Sequence, residues 1–346
     1  MHLSMWALIK GQFDKQPPVV KTDLTGKTVV TVGTNTGLGF EAAKHFARMN
    51  PGRLILACRS QSRGQAAVDT EGGYGRGYTH VELWLIELGD FESVKHFADR
   101  FERDGGRLDI LVENTAVSMQ KYEATKDGWE TSLQVNCLST PLVAFLLLPS
   151  MIRTAQEHAT IPRLVVVASE THYWVTISRK IYEKGNILAT LGNAKYCTTK
   201  AMRMHYPLTK LLNVFFVRAL NSCLGASLLI VDAVNPGFCV SKLRRNISGP
   251  VAWLANFMEW IMAFTTEEGG HRLVHGAVGI LEDADTLLTK MAWTRGGYLN
   301  QCRVEEPSNF VVSAEGHRVQ DQIWVSLLTE ISLNVLTSVQ DELIEV

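Results

Sequence analysis

The chain has 346 residues, a formal net charge of −1 at pH 7 and a hydrophobic fraction of 46%. This length fits one large α/β domain, and the apolar content excludes a disordered or collagen-like chain. Because the net charge is close to zero, the sequence lacks the basic footprint of a nucleic-acid-binding protein, and we expect no nucleic-acid partner. The six cysteines form no CxxC pair, so we predict reduced thiols and no metal site.

Targeting and membrane signals are weak in this sequence. Residues 1–10 lack a hydrophobic region followed by a cleavage site, so they do not indicate a signal peptide. The longest apolar runs, residues 141–149 and 250–265, are shorter than the roughly 20 residues that span a bilayer. We therefore expect a cytoplasmic protein without a transmembrane segment.

Predicted strands and helices alternate along most of the chain. Residues 1–25 form an N-terminal arm that Pro17 and Pro18 keep extended. Short apolar runs, typical of strands covered on both faces, follow at residues 27–33, 53–58, 81–86, 108–112, 163–169 and 227–234. Helical or irregular segments separate them, which predicts a doubly wound (Rossmann) parallel sheet with helices on both faces. We assign residues 26–346 to this single domain.

The sequence changes character after this alternation ends. Residues 242–295 look helical, and four aromatic side chains recur there at spacings of three and four, namely Trp253, Phe257, Trp260 and Phe264. We predict that this segment is a C-terminal helical lid over an apolar substrate. The alternative is that these aromatic side chains belong to the ordinary core.

A glycine-rich turn follows the first predicted strand and directly precedes a helix. Its spacing, GxxxGxG, permits a tight turn and brings backbone N–H groups at the helix N-terminus close to a pyrophosphate. A tight turn with no ligand is the alternative, but the strand–turn–helix context favours a dinucleotide. The expected contacts are Gly33, Asn35, Thr36, Gly37, Leu38 and Gly39.

The end of the second predicted strand indicates which dinucleotide is bound. A site for NAD would have Asp or Glu there to bind the ribose 2′-hydroxyl. The sequence has no acidic residue until Asp69 and instead carries Arg59 and Arg63. Since a guanidinium matches a 2′-phosphate in charge and geometry, we predict NADP(H). The alternative is that Arg59 is a solvated residue at a strand end.

Four further segments complete a pattern. Residues 109–116 stand where one family has an Asn-Asn-Ala-Gly strand end, and residues 133–136 end in a helical Asn136. Residues 165–169 end in Ser169, and residues 235–241 contain a Pro-Gly loop. With the glycine turn, these segments resemble the short-chain dehydrogenase/reductase family, in particular its retinol-dehydrogenase-like branch and the fungal members found with secondary metabolism. The resemblance covers about residues 18–330 and implies further cofactor contacts at Glu87, Asn114, Tyr206, Lys210, Pro236, Gly237, Phe238 and Ser241.

The chemistry of this family needs Tyr and Lys four residues apart on one helical face. The sequence offers this spacing twice, as Tyr196 with Lys200 and as Tyr206 with Lys210. A continuous apolar helical stripe follows Lys210, whereas Pro207 interrupts the segment that follows Lys200. We therefore favour Tyr206 and Lys210, and the other pair remains the alternative.

The resemblance also implies the role of each catalytic residue. Tyr206 is the general acid in reduction and the base in oxidation, and Lys210 lowers its pKa and holds the nicotinamide ribose. Ser169 hydrogen-bonds the substrate oxygen, and Asn136 holds a water in a proton relay. The sequence departs from the family pattern, without losing a catalytic group, at Val32, Glu87, Thr115 and Ala116.

These observations predict an NADP(H)-dependent oxidoreductase that interconverts a carbonyl and a secondary alcohol on an apolar substrate. A terpenoid or polyketide-type intermediate of secondary metabolism would suit the aromatic segment. The alternative is a cofactor-binding protein of the same fold that turns over little and acts through partners. A methyltransferase on a similar sheet is disfavoured because it does not require the ordered Ser, Tyr and Lys. The expected partner is a small apolar molecule, and a homo-oligomer is left open.

Overall fold

The structure is a computed structural model that describes residues 11–12, 18–69, 78, 80–224, 229–241, 243, 250–279 and 295–335. Most of the predicted N-terminal arm lies outside the described residues, as do residues 242, 244–249 and 280–294 of the predicted lid. The division of the chain into arm, domain and lid therefore stays a prediction.

A mostly parallel sheet organises the described residues, in the order β3-β2-β1-β4-β5-β6-β7-β8. Only the pairing of β7 with β8 is antiparallel among these neighbours. The predicted doubly wound fold is confirmed. The strands are β1 Thr28–Val32, β2 Arg53–Cys58, β3 Val81–Leu85, β4 Ile110–Glu113, β5 Arg163–Val167, β6 Ile230–Asn235, β7 Tyr298–Asn300 and β8 Arg303–Glu305.

Helices connect the strands and cover both faces of the sheet. They are α1 Leu38–Ala47, α2 Gln61–Val68, α3 Phe91–Arg103, α4 Thr131–Leu133, α5 Ser139–His158, α6 Arg179–Tyr182, α7 Ile187–Leu191, α8 Thr199–Met202, α9 His205–Cys223, α10 Pro250–Met262, α11 Thr266–Val278, α12 Asn309–Val312 and α13 Ala314–Val335. A π-helical turn, Gln134–Leu138, joins α4 to α5, and a 3₁₀ turn, Glu170–Trp174, follows β5.

The central strands are apolar without alternation because each contributes side chains to two cores. In β1, Val30 and Val32 belong to the core beneath α5 and α9, whereas Val29 belongs to the core beneath α1 and α11. Successive side chains of a strand point to opposite faces, so a strand buried on both faces is mostly apolar and does not alternate with polar residues. The two cores hold the carboxyl ends of β1, β4, β5 and β6 in a fixed relative position.

The sequence analysis did not predict β7 and β8. Each has three residues, and neither run is apolar enough to stand out in the sequence. The helical stretch Thr131–His158 is long and apolar enough to cross a membrane, but 83% of its most apolar window is buried inside the protein. The separate apolar runs in the sequence had not indicated so long a helical stretch.

Candidate active site and cofactor cleft

The predicted site residues follow the carboxyl ends of neighbouring strands. The glycine turn follows β1, Asn114 follows β4, Ser169 follows β5, and Pro236 and Gly237 follow β6. The sheet order changes direction between β1 and β4, where doubly wound proteins bind their ligands. The topology therefore brings motifs from distant parts of the sequence to one edge.

The glycine turn leaves the N-terminus of α1 open. Gly37 is the N-cap of α1, and no side chain of the described residues caps the helix there. A side chain at Gly37 would meet no described atom within 4 Å. Asn114 supports the turn from β4, because its Nδ2 donates a hydrogen bond to Gly33 O at 3.0 Å. Free N–H groups at an uncapped helix end suit a phosphate, so these residues fit a dinucleotide.

The end of β2 carries the groups predicted to select the cofactor. Ser60 caps α2, because its Oγ accepts a hydrogen bond from Arg63 N at 3.4 Å. The half-exposed Arg59 places Nη1 4.0 Å from Glu87 Oε2. An exposed pair of this kind contributes about 0–1 kcal/mol, so the Arg59 guanidinium is available to a stronger anion. Glu87 also accepts a hydrogen bond from Gly89 N at 3.0 Å, which holds it beside this position.

Asn136 lies in the π-helical turn and is completely buried. Its Oδ1 accepts a hydrogen bond from Val117 N at 2.9 Å, and its Nδ2 donates to Val117 O at 2.9 Å and to Thr209 Oγ1 at 3.0 Å. The side chain thus ties the loop after β4 to helix α9. Since both amide protons are used, a water at Asn136 would bind to an oxygen of this residue, as a donor.

Helix α9 carries the favoured Tyr and Lys. It begins at His205, so Tyr206 and Pro207 occupy its first turn, where a proline costs no helical hydrogen bond. Lys210 follows one turn later and is buried, with Nζ 5.7 Å from the centre of the Tyr206 ring. Nζ donates a hydrogen bond to Val167 O at 2.6 Å, two residues before Ser169. Burial lowers the pKa of Lys210 to about 8.

The alternative pair has a different arrangement. Helix α8 begins at Thr199, so Tyr196 lies in the preceding loop while Lys200 is exposed within a helix of four residues. Tyr196 and Lys200 therefore do not share one helical face. This arrangement favours Tyr206 and Lys210, whose catalytic roles stay predictions.

Ser169 caps the 3₁₀ turn after β5, and its Oγ accepts a hydrogen bond from Thr171 N at 3.3 Å. His172, which sequence reasoning missed, supports this turn. Its Nδ1 lies 2.7 Å from Ser169 O, and its Nε2 lies 3.2 Å from Ser308 N. The carbonyl must accept and the amide must donate, so the ring is neutral with its proton on Nδ1. Burial lowers the pKa of His172 to about 4.

The Pro-Gly loop after β6 is held from two sides. Asn235 Oδ1 accepts hydrogen bonds from Gly237 N at 3.1 Å and from Glu170 N at 3.2 Å, and its Nδ2 donates to Asn300 Oδ1 on β7 at 2.8 Å. The buried Arg272 of α11 donates from Nη1 to Pro236 O at 2.8 Å. Neither Asn300 nor Arg272 was predicted, because both come from segments far along the chain without a recognisable motif.

Helix α10 exposes aromatic side chains that a core helix would bury. Trp253 is 72% exposed, Trp260 is 82% exposed, and Phe257 is also exposed. The alternative that the aromatic side chains form ordinary core is therefore wrong for Trp253, Phe257 and Trp260. Phe264 differs from them: it follows α10, is buried, and pairs through its backbone with Phe238 and Val240. Helix α11 also falls within the predicted lid, but it packs against α1 and the sheet, and its apolar side chains are buried in the core there. Among the described residues, α10 therefore remains the candidate lid.

Comparison with known proteins agrees with this geometry. A family model described as short chain dehydrogenase matches residues 27–182. The short chain dehydrogenase/reductase dmxR8 of Cryptosporiopsis sp. is 35% identical over 324 residues, which cover 92% of this chain and 95% of the relative. The chain belongs to the short-chain dehydrogenase/reductase family. Short-chain dehydrogenase anuD of Penicillium roqueforti is 33% identical over 341 residues, which cover 94% of this chain and 83% of that relative.

A crystal structure has the same fold as this chain. An uncharacterised protein of Mycobacterium paratuberculosis superposes with a TM-score of 0.63 at 22% identity, covering 89% of this chain and 94% of that chain. The predicted family is confirmed, and with it an oxidoreductase scaffold that binds NAD(P). The family binds either NAD or NADP, and its members act on different substrates.

Proposed function

We propose that the protein is an NADP(H)-dependent oxidoreductase that interconverts a carbonyl and a secondary alcohol on an apolar substrate, a terpenoid or polyketide-type intermediate of secondary metabolism. The observation that carries the proposal is the position of Lys210. Its Nζ is fixed to Val167 O on the strand that ends at Ser169, and it lies one helical turn from Tyr206. One ammonium thus connects the tyrosine helix with the serine strand.

The chain supplies the proton and the orientation for this reaction. The Ser169 hydroxyl donates a hydrogen bond to the substrate oxygen and stabilises the charge that develops there. The Tyr206 hydroxyl gives its proton to that oxygen in reduction and takes it back in oxidation. The Lys210 ammonium favours the phenolate of Tyr206 electrostatically. When bound, the nicotinamide supplies or accepts the hydride.

The main chain of Tyr206 is held in place by a buried relay of hydrogen bonds. Thr209 Oγ1 donates to Tyr206 O at 2.8 Å and accepts from Asn136 Nδ2 at 3.0 Å. Asn136 is in turn fixed by both backbone groups of Val117. Because a general acid must be held in position relative to the substrate, we assign Thr209 a positioning role beside Asn136.

Selectivity for NADP(H) rests on the end of β2. Arg59 and Arg63 flank the capped start of α2, where Ser60 also presents a hydroxyl. A 2′-phosphate would compete with Glu87 for Arg59. A guanidinium binds a phosphate dianion more strongly than it binds an exposed carboxylate, so Arg59 would leave its long contact with Glu87. Support for an apolar substrate comes from the exposed aromatic side chains of α10 and from the resemblance to fungal members found with secondary metabolism.

A second candidate function is a cofactor-binding protein with little turnover. It is supported by Thr115, which adds bulk beside the glycine turn: a Cβ at Gly33 would lie 2.5 Å from its Oγ1. Two measurements separate the candidates. NADPH consumption at 340 nm with a panel of apolar ketones measures turnover, and a fluorescence titration measures binding. We expect both signals, whereas binding without turnover on any ketone or matching alcohol would favour the second candidate.

A further inference from the structure

Two histidines and a carboxylate meet on the sheet face opposite helix α9. His45 comes from α1, and Glu267 and His271 come from α11, where a spacing of four places them on one side of the helix. Their ligand atoms all lie within 4.8 Å of one another. The sequence did not predict a metal site because its third member stands more than 200 residues away in the chain.

The Nε2 atoms of His45 and His271 have no hydrogen-bond partner among the residues that the structure describes. His45 Nε2 lies 3.9 Å and His271 Nε2 lies 3.8 Å from Glu267 Oε1, too far for a hydrogen bond, and both nitrogens are buried. His45 is only 7% exposed. Buried polar atoms are normally satisfied, and two imidazole nitrogens that converge on one carboxylate oxygen form the arrangement of a cation site.

Burial disfavours the charged form of both rings, whereas the charges around them act in both directions. Burial lowers the pKa of His45 to about 4 and also lowers the pKa of His271. Lys44 and Arg48 face His45, and Glu41 and Glu268 face His271. Lys44 is paired with Glu41 at 2.7 Å, and the exposed Arg48 places Nη1 3.4 Å from His45 Nδ1. Because a guanidinium only donates, this contact makes Nδ1 the acceptor and leaves the ring proton on Nε2. Binding a cation through Nε2 therefore requires the exposed Arg48 to turn into solvent, so that the proton moves to Nδ1 and Nε2 presents its lone pair.

We propose that His45 Nε2, His271 Nε2 and Glu267 Oε1 bind one divalent zinc-class ion, with water completing its coordination. Two imidazoles and one carboxylate are a ligand set that zinc uses in proteins. Ligand atoms of a tetrahedral zinc site stand about 3.3 Å apart, as follows from bond lengths of about 2.0–2.1 Å. On the two edges to Glu267 Oε1, at 3.9 and 3.8 Å, the ligand atoms must approach by about half an ångström, and Glu267, 60% exposed at its side chain, has the freedom to move. The two imidazole nitrogens lie within 4.8 Å of each other, so a rotation of the partly exposed His271 ring must close the third edge by up to about 1.5 Å.

The ion would join two helices that support the cofactor cleft. Helix α1 begins at the open N-terminus of the glycine turn, and α11 carries Arg272, which holds the Pro-Gly loop. The helices already pack closely: a Cβ at Gly270 would lie 2.8 Å from Glu41 Cβ and 3.0 Å from Ala42 N. Bound zinc would add a cross-link at this contact, and we expect it to raise the melting temperature.

The proposal is tested on the full chain with Zn²⁺ in competition with a chromophoric chelator, followed by metal analysis after dialysis. We expect one ion per chain, a rise in melting temperature with Zn²⁺, and at least a tenfold loss of affinity in Glu267→Gln and in His271→Gln. Glu267 is largely exposed, so Glu267→Gln keeps the fold, which circular dichroism without metal verifies. The matched control is His96→Gln, an exposed histidine of α3, and it retains the full affinity.

Co²⁺ identifies the ligands independently. Nitrogen and oxygen ligands give d–d bands without the thiolate charge-transfer band that a cysteine site produces, and Cys223→Ser, which removes an exposed thiol, leaves the spectrum unchanged. Equal Zn²⁺ affinity in the wild type and in Glu267→Gln and His271→Gln would overturn the proposal. The proposal would also be overturned if the Co²⁺ spectrum disappeared in Cys223→Ser, or if the wild-type protein bound no Zn²⁺. None of these outcomes bears on NADPH turnover, so the proposed function is tested separately.

Discussion

Gly237 supplies a sharp test of the way in which the Pro-Gly loop is built. Its φ is +78°, a region that costs an L-residue about 1–2 kcal/mol. A Cβ there would stand 2.0 Å from Arg272 Nη1, so Gly237→Ala must also displace the guanidinium from Pro236 O. Losing a buried hydrogen bond from a charged group costs about 1.5–3 kcal/mol. We therefore expect Gly237→Ala to lower the free energy of unfolding by about 2.5–5 kcal/mol.

Gly26→Ala is the matched control for this substitution. Gly26 has a similar φ of +74°, but a Cβ there would meet no described atom within 4 Å. We expect this variant to lose about 1–2 kcal/mol, from the backbone alone. Urea denaturation measures both, and the NADPH dissociation constant shows whether the loop still forms the cleft. Equal destabilisation of the two variants would refute the role given to Arg272.

Three further predictions address the cofactor, the lid and the turn after β5. Arg59→Ala should weaken NADP(H) binding selectively by about 1–3 kcal/mol, and equal wild-type affinities for NAD(H) and NADP(H) would contradict the assignment. Trp260→Ala should raise KM for an apolar substrate without lowering stability, because the side chain is 82% exposed; a cooperative loss of stability with unchanged KM would speak against a lid. The buried His172 binds its proton less readily folded than unfolded, so it should lower stability as the pH falls from 6.5 towards 4. In His172→Gln, pH-dependent unfolding should show a shallower decline over that range, and an unchanged slope would exclude this histidine as a cause.

Much of the fold was predictable because central parallel strands are apolar on both faces and are followed by recognisable turns. The glycine turn before α1 and the run ending in Ser169 are local signals of this kind. The short strand β7 gives no such signal, although its Asn300 anchors the loop after β6. Its three residues are specified by pairing with β6 and not by their own pattern.

The supporting contacts of the site were less predictable than its motifs. His172 contacts Ser308, and Arg272 contacts Pro236. Both are tertiary contacts between distant parts of the chain, so the spacing of residues in the sequence does not predict them. The aromatic periodicity of α10 showed a helix but could not show whether its apolar face would be buried. Periodicity reports that a face is apolar, whereas the partner that covers it is a property of the folded chain.

The catalytic mechanism depends on which of the two Tyr and Lys pairs is active, and the sequence supplies its own control. The steady-state rate of NADPH-dependent reduction should be measured in parallel for Tyr206→Phe and Tyr196→Phe, with NADPH binding as the check on folding. We predict that Tyr206→Phe loses about 10²–10⁴-fold in kcat while retaining cofactor binding, since only the proton-carrying oxygen is removed. Tyr196→Phe should keep substantial activity, because Tyr196 lies in the loop before α8 and the lysine four residues later, Lys200, is exposed. An essential Tyr196 beside a dispensable Tyr206 would contradict the assignment of the active site.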